Sequence, residues 1–110
     1  MKMIVAIIRP EKVDDVLNAF EQNNIPGVTI TDVHGRGEQG GICLQSRAGK
    51  MQVKTLPKTK LELVIPDKDV EKLVNIIREH ARTGKKGDGR IFVLPVEVAE
   101  WVRIDDRIIG

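Results

Sequence analysis

Met3 to Ile8 is an unbroken apolar run closed by Arg9-Pro10, the pattern of a short central strand buried on both faces. Pro10 stands where a helix begins, because its fixed φ suits a first turn, and Glu11 sets negative charge against the positive end of the helix dipole. Val13, Val16, Leu17 and Phe20 then fall at i, i+3, i+4 and i+7, one apolar stripe. Asn23-Asn24 and Pro26-Gly27 end that helix. Val28 to His34 is rich in β-branched residues and stops at Gly35, a second strand. From Leu56 to Ile65 the alternation is clean: Thr59, Leu61, Leu63 and Ile65 share one face, Lys58, Lys60 and Glu62 the other. Pro66-Asp67 opens a second helix in which Val70, Leu73, Val74, Ile77 and Ala81 keep register, and Thr83-Gly84 stops it. Ile91 to Leu94 makes a fourth strand, and a tail of weaker pattern occupies 96–110.

The order β-α-β-β-α-β predicts an α+β fold of the split βαβ, ferredoxin-like kind: an antiparallel four-stranded sheet with both helices on one face. No Gly/Ser linker interrupts 1–110, so the chain reads as one domain. The anomaly is the connection between the second and third strands. It runs from Gly35 to Thr55, holds five glycines and shows no sustained period, whereas hairpin loops usually have about two to five residues. Long loops of this kind in compact domains are functional or disordered.

Composition narrows the partners. A chain of 110 residues buries about two-thirds of its extended surface, enough for one core without staples. Eighteen Lys plus Arg against 16 Asp plus Glu leave a net charge of +2, too balanced to announce a nucleic acid. There is no Tyr, and aromatics make up 3%, so stacking platforms for single-stranded bases are missing. Binding is then expected through backbone amides, charges and aliphatic surface. The single Cys43 excludes a disulfide framework and a multi-cysteine zinc site. The N-terminal apolar run is too short for a signal-peptide core or a membrane span, which leads to the expectation of a cytoplasmic protein with no membrane insertion.

Three segments could carry chemistry. In Thr83-Gly84-Lys85-Lys86-Gly87-Asp88-Gly89-Arg90, the Gly-Asp-Gly step permits φ > 0 at two positions, so backbone N–H groups can converge into an anion-binding nest. Arg82, Lys85, Lys86 and Arg90 surround it. The segment reads equally as a helix C-cap at Gly84 followed by a solvated basic turn, and it lacks the order of a P-loop. Gly35-Arg36-Gly37-Glu38-Gln39-Gly40-Gly41 either lets backbone approach a ligand or only lets a long loop leave the sheet. Lys58, just past Pro57, is either a cation facing the same ligand or an ordinary surface lysine. Catalytic candidates are poor. His34 and His80 have no nucleophile or carboxylate partner in the pattern, and with Cys43 they lack metal-ligand spacing. His80 is expected on the polar side of the second helix. Asp14-Asp15 and Asp105-Asp106 read as solvated pairs, and Trp101 as a packing or interface residue. Enzyme activity is not expected.

Several motifs in order resemble the PII nitrogen-regulatory proteins: Met1-Lys2-Met3-Ile4 with Ala6-Ile7-Ile8-Arg9-Pro10, Gly35-x-Gly37-x-Gln39-x-Gly41, Leu56-Pro57-Lys58-x-Lys60, and Thr83 through Gly87-Asp88-Gly89-Arg90-Ile91-Phe92-Val93. The likeness covers nearly the whole chain without gaps from Gly35 to Gly89. It implies a homotrimer of ferredoxin-like subunits with clefts between neighbours that take ATP or ADP, and 2-oxoglutarate together with Mg-ATP. Carried over residue by residue, it puts Thr29 and Val64 beside the adenine with Ile7 near them. It gives Gly87, Asp88, Gly89 and Arg90 the phosphates or ribose, and sends Arg103 across from a neighbouring subunit. Gln39 becomes the magnesium ligand and touches 2-oxoglutarate. Lys58 pairs with a carboxylate of that acid, which the backbone of Gly37 to Gly41 lines, with Gly35 at the head of the turn. Residues 36–55 correspond to the family's target-docking T-loop and 82–90 to its phosphate-binding B-loop.

This chain also departs from the family's pattern. Glu38 stands where the family has a phosphate-contacting Arg or Lys, and Trp101 where it has a second cross-subunit Arg. Met51 and Gly49 replace the loop Tyr and Ser that are modified in other members, so signalling is expected to rest on ligands alone. The opening and the missing loop Tyr resemble the nitrogenase-linked subgroup, which implies nitrogenase, an ammonium channel or another nitrogen-metabolism protein as target, and a hetero-complex with a paired homologue as an alternative to the homotrimer. Two rival readings of the residues stay open: an acylphosphatase-like hydrolase and a ferredoxin-like RNA-binding or structural module.

Overall fold

The computed structural model describes residues 1–36, 42–46, 49–53 and 55–108, with 42–46 and 49–53 described as backbone alone. Along the chain come β1 (Lys2–Ile8), α1 (Val13–Gln22), β2 (Thr29–Gly35), β3 (Ile42–Ser46), β4 (Gly49–Val53), β5 (Leu56–Ile65), α2 (Val70–Ala81) and β6 (Gly89–Pro95). Each helix is entered through a single 3-10 turn, Pro10–Lys12 before α1 and Asp67–Asp69 before α2. The prolines therefore set the chain direction, and α geometry begins at Val13 and Val70.

The main sheet has the order β2-β5-β1-β6, every neighbour antiparallel, as the ferredoxin-like reading requires. Register sets Ile4 opposite Leu63 and Val93, and Ala6 opposite Leu61 and Ile91. With a side-chain period of two, Ile4, Ala6 and Ile8 share a face with Thr59, Leu61 and Leu63. All six are buried, together with Val16, Ala19 and Phe20 of α1 and Leu73, Ile76, Ile77 and Ala81 of α2. Each fully buried aliphatic side chain contributes about 1.5–3 kcal/mol relative to an exposed one.

Two expectations are corrected. Burial on both faces of β1 does not hold within the chain: Met3, Val5 and Ile7 are only partly buried. The crossovers β1-α1-β2 and β5-α2-β6 each join parallel strands and share one hand, so both helices land on the same face. The other face keeps Val64, Phe92 and Leu94 exposed. The Gly35–Thr55 connection is also not without pattern. Within it β3 and β4 pair antiparallel from Ile42↔Val53 to Ser46↔Gly49, a ribbon separate from the main sheet. Two five-residue strands give too few alternations to stand out among glycines.

The tail folds back on itself, with Glu100 bridged to Arg107, the Trp101 amide donating to Asp106 O at 3.0 Å and the Ile108 amide to Ala99 O at 2.7 Å. Trp101 is 53% exposed, so within the chain it is not the packing residue its type suggests. No helix among the described residues is long and apolar enough to cross a membrane.

Candidate functional site

The segment between α2 and β6 is held by one carboxylate. Asp88 Oδ2 accepts from the Thr83 and Gly84 amides, both at 2.8 Å, and Oδ1 accepts from Arg9 Nε at 3.0 Å and from Thr83 Oγ1. Thr83 Oγ1 in turn accepts from the Lys85 amide at 3.2 Å. Partial burial alone would raise the Asp88 carboxyl; the hydrogen bonds from Thr83 Oγ1 and Arg9, then those from the two amides, outweigh it and hold the group well below the usual carboxylate range.

Glycines let this loop turn. Gly84, Gly87 and Gly89 have φ of 87°, 96° and 106°, in the region only glycine enters freely. At Gly89 the demand is double, because a Cβ would lie 1.7 Å from Ile7 O on the adjacent strand. The helix-cap reading is realised differently: α2 ends at Ala81, and the extended Arg82 follows it before the glycine.

Beside this turn, on the uncovered face, the ends of β1, β2, β5 and β6 enclose a cleft of about 400 Å³. Arg36, Lys58, Lys85, Lys86 and Arg90 bring cations to it, against the one carboxylate of Asp88 among the described residues, while Ile7 and Phe92 supply apolar wall. Such an imbalance in a concave site favours a polyanion with an apolar part.

Lys58 is not an ordinary surface lysine. It is 8% exposed, and its Nζ donates to the Gly87 carbonyl, tying β5 to the glycine turn. Burial pushes its pKa below the ordinary lysine value, and the Arg9 guanidinium pushes the same way, while Glu11 and Asp88 oppose. A carboxylate or phosphate brought to this ammonium meets a charge that lacks much of its water.

Of the residues singled out in the sequence, Ile7, Gly35, Lys58, Gly87, Asp88, Gly89 and Arg90 line this one cleft. Thr29 and Val64 lie on the same face but farther along it, opposite Glu62 and Met3 respectively, and do not line it. Arg103 belongs to the tail, also away from the cleft. Gly37, Gln39 and Gly41, with Glu38, lie outside the described residues. His80 is half-buried, its Nδ1 at 2.9 Å from the Ile76 carbonyl and so the donor. No group of three or more His, Cys, Asp or Glu able to hold a metal occurs among the described residues.

Sequence reasoning gave Arg9 no part in the site: it ended the first strand and stood in one of the family-like motifs. It donates from Nε to Asp88 and from Nη2 to the Lys86 carbonyl at 2.9 Å. The signal available was a charged residue at the end of an apolar strand, held extended by the proline after it.

The family model for nitrogen regulatory protein P-II matches residues 1–106. A nitrogen regulatory protein P-II 2 from Methanothermobacter thermautotrophicus is 49% identical over 104 residues, 94% of this chain and 89% of that protein. The nitrogen fixation nifHD region GlnB-like protein 1 of Methanothermobacter marburgensis is 47% identical over 103 residues, 94% of each chain. Nitrogen regulatory protein P-II of Haemophilus influenzae is 47% identical over 107 residues, 97% of this chain and 96% of that one.

Proposed function

The chain belongs to the nitrogen regulatory protein P-II family of signal proteins, and from that premise we propose that it senses adenine nucleotides and 2-oxoglutarate and passes the result to a nitrogen-metabolism target without catalysing a reaction. The observation that carries the reading is the cleft where the Gly87–Arg90 turn, Lys85, Lys86 and the nearly buried Lys58 converge. Backbone of positive-φ glycines allows close approach to phosphate oxygens, and the lysines and Arg90 neutralise them. Lys58 is the anchor for a carboxylate of 2-oxoglutarate. An ammonium has three donors, so it can meet an acid while still holding the Gly87 carbonyl.

The donor set fits the diphosphate of ADP or the triphosphate of ATP. Magnesium with ATP, and its ligand Gln39, stay part of the proposal through the family resemblance. Among the described residues, the apolar wall of the cleft is limited to Ile7 and Phe92. Thr29 and Val64 lie on the uncovered face, and Arg103 is in the tail, so a second copy packed against that face would bring them to a neighbour's cleft. Met3, Val5, Phe92 and Leu94 give that face the apolar surface an interface needs. A homotrimer, or a hetero-complex with a paired homologue, is therefore the working form in this reading. The nitrogen-fixation name of one relative supports nitrogenase as the target.

A hydrolase would need a base beside its phosphate. Asp88, the one carboxylate of the cleft among the described residues, spends both oxygens on the loop and is held deprotonated by those donors, so it is poorly placed to take a proton.

Calorimetry with ADP, Mg-ATP and 2-oxoglutarate tests this directly. Heat is expected with either nucleotide, and with the acid once Mg-ATP is present. Lys58→Ala should abolish the heat of the acid and weaken nucleotide binding far less. Silence with every adenine nucleotide at millimolar concentration, or a monomer by sedimentation, would overturn the reading.

A further inference from the structure

We propose that Arg9 is the positioning residue of the phosphate-binding turn, setting both its net charge and the direction of its amides; the inference rests on the nucleotide reading above. Arg9 follows the last residue of β1 and has extended backbone, φ −65° and ψ 136°, which Pro10 after it enforces. Its planar guanidinium makes two separate contacts with the turn: Nε with the Asp88 carboxylate at 3.0 Å, and Nη2 with the Lys86 carbonyl at 2.9 Å. Glu11 lies 3.9 Å from Nη1 on the other side. Because the guanidinium is rigid, these donors fix Asp88 and Lys86 relative to each other as well as to the sheet.

The first contact governs charge. An unpaired Asp88 would oppose any phosphate brought to the turn it closes, and Arg9 supplies the compensating positive charge. The second governs geometry. The Lys86–Gly87 peptide is planar and trans, so a carbonyl pulled toward Arg9 directs the Gly87 N–H away from it. Gly87, at φ 96°, can adopt that arrangement without a side-chain penalty. Arg9 itself does not line the cleft and acts through the turn alone. Lys58 holds the next carbonyl, at Gly87, but it stands in the cleft and meets ligand directly. Arg9 is therefore the handle by which turn geometry can be changed without removing a ligand contact.

The test is displacement of a fluorescent ADP analogue by inorganic pyrophosphate and, separately, by adenosine, in wild type, Arg9→Met and Arg9→Lys. For Arg9→Met the pyrophosphate concentration needed should rise about tenfold while that of adenosine stays within about twofold, the size expected for loss of one charge-assisted contact. Arg9→Lys keeps the charge without the fork and should fall between. Equal losses for both competitors would show a merely loosened fold and overturn the proposal, as would no loss for either. A lysine variant as weak as the methionine one would remove the charge argument, and one as tight as wild type the geometric one. Wild type failing to bind the analogue would sink the nucleotide reading itself, an outcome distinct from a wild type that binds and an Arg9→Met protein that binds equally well.

Discussion

The two faces of the main sheet differ sharply in exposure. Under the helices, Ile4, Ala6 and Leu61 have no exposed surface; on the other side Val64, Phe92 and Leu94 keep 46%, 47% and 43% of theirs. The uncovered face also carries the Lys60–Glu62 pair at 3.5 Å and, at one end, the cation-lined cleft. One face folds the chain. The other keeps apolar side chains exposed beside a cation-lined cleft, so in the proposed function assembly and ligand binding would share a surface that folding left free.

Substitutions that separate the faces test this directly. Ile77→Ala, beneath the sheet with no exposed surface, should lower the unfolding free energy by about 2–5 kcal/mol in a denaturant titration. Phe92→Asp, on the uncovered face, should instead reduce the sedimenting mass toward that of one chain while leaving the far-ultraviolet circular dichroism intact. If Phe92→Asp unfolds the protein at low concentration as thoroughly as Ile77→Ala weakens it, the division between the faces fails.

Gly89→Ala strikes where the sheet meets the cleft. Positive φ and the approach to Ile7 O both oppose a side chain, and a cost of about 1–3 kcal/mol is expected from the backbone alone. The same denaturant titration should show that loss, and calorimetry a weaker ADP signal, because the Ile8↔Gly89 end of the β1–β6 pairing must open.

The smallest expected effect is at Thr83. Removing its hydroxyl in Thr83→Val takes one donor from Asp88 at a cost of about 1 kcal/mol near neutrality. The pH dependence has a definite sign. The Asp88 carboxyl is held below its unfolded value, so its contribution is fully present above about pH 3.9 and is lost as pH falls through the lower folded value. Denaturant midpoints of wild type and Thr83→Val should therefore converge on acidification below that value. A gap that widens instead would mean that Asp88 is not the group responsible.

The two helices and the four strands of the main sheet were legible in the chain because each is fixed locally, whereas β3 and β4 were not. The alternation from Leu56 to Ile65 places β5 to the residue, and the i, i+3, i+4 stripe of Val13, Val16, Leu17 and Phe20 fixes the buried side of α1. The glycines of the turn before β6 were legible too, since their spacing is a backbone requirement that no other residue meets cheaply. What the tertiary structure alone decided is of a different kind. A continuous apolar strand announces burial on both faces, whereas within the chain the helices cover one face of β1 and leave Met3, Val5 and Ile7 on the other only partly buried. Lys58 reads as either a ligand-facing cation or a surface lysine until the register brings the Gly87 carbonyl to it, and Arg9 reads as a strand terminator until β6 returns beside β1 with Asp88 just ahead of it. Both contacts join residues far apart in sequence. Local pattern carries no record of such pairs, because their energy exists only once the sheet has closed.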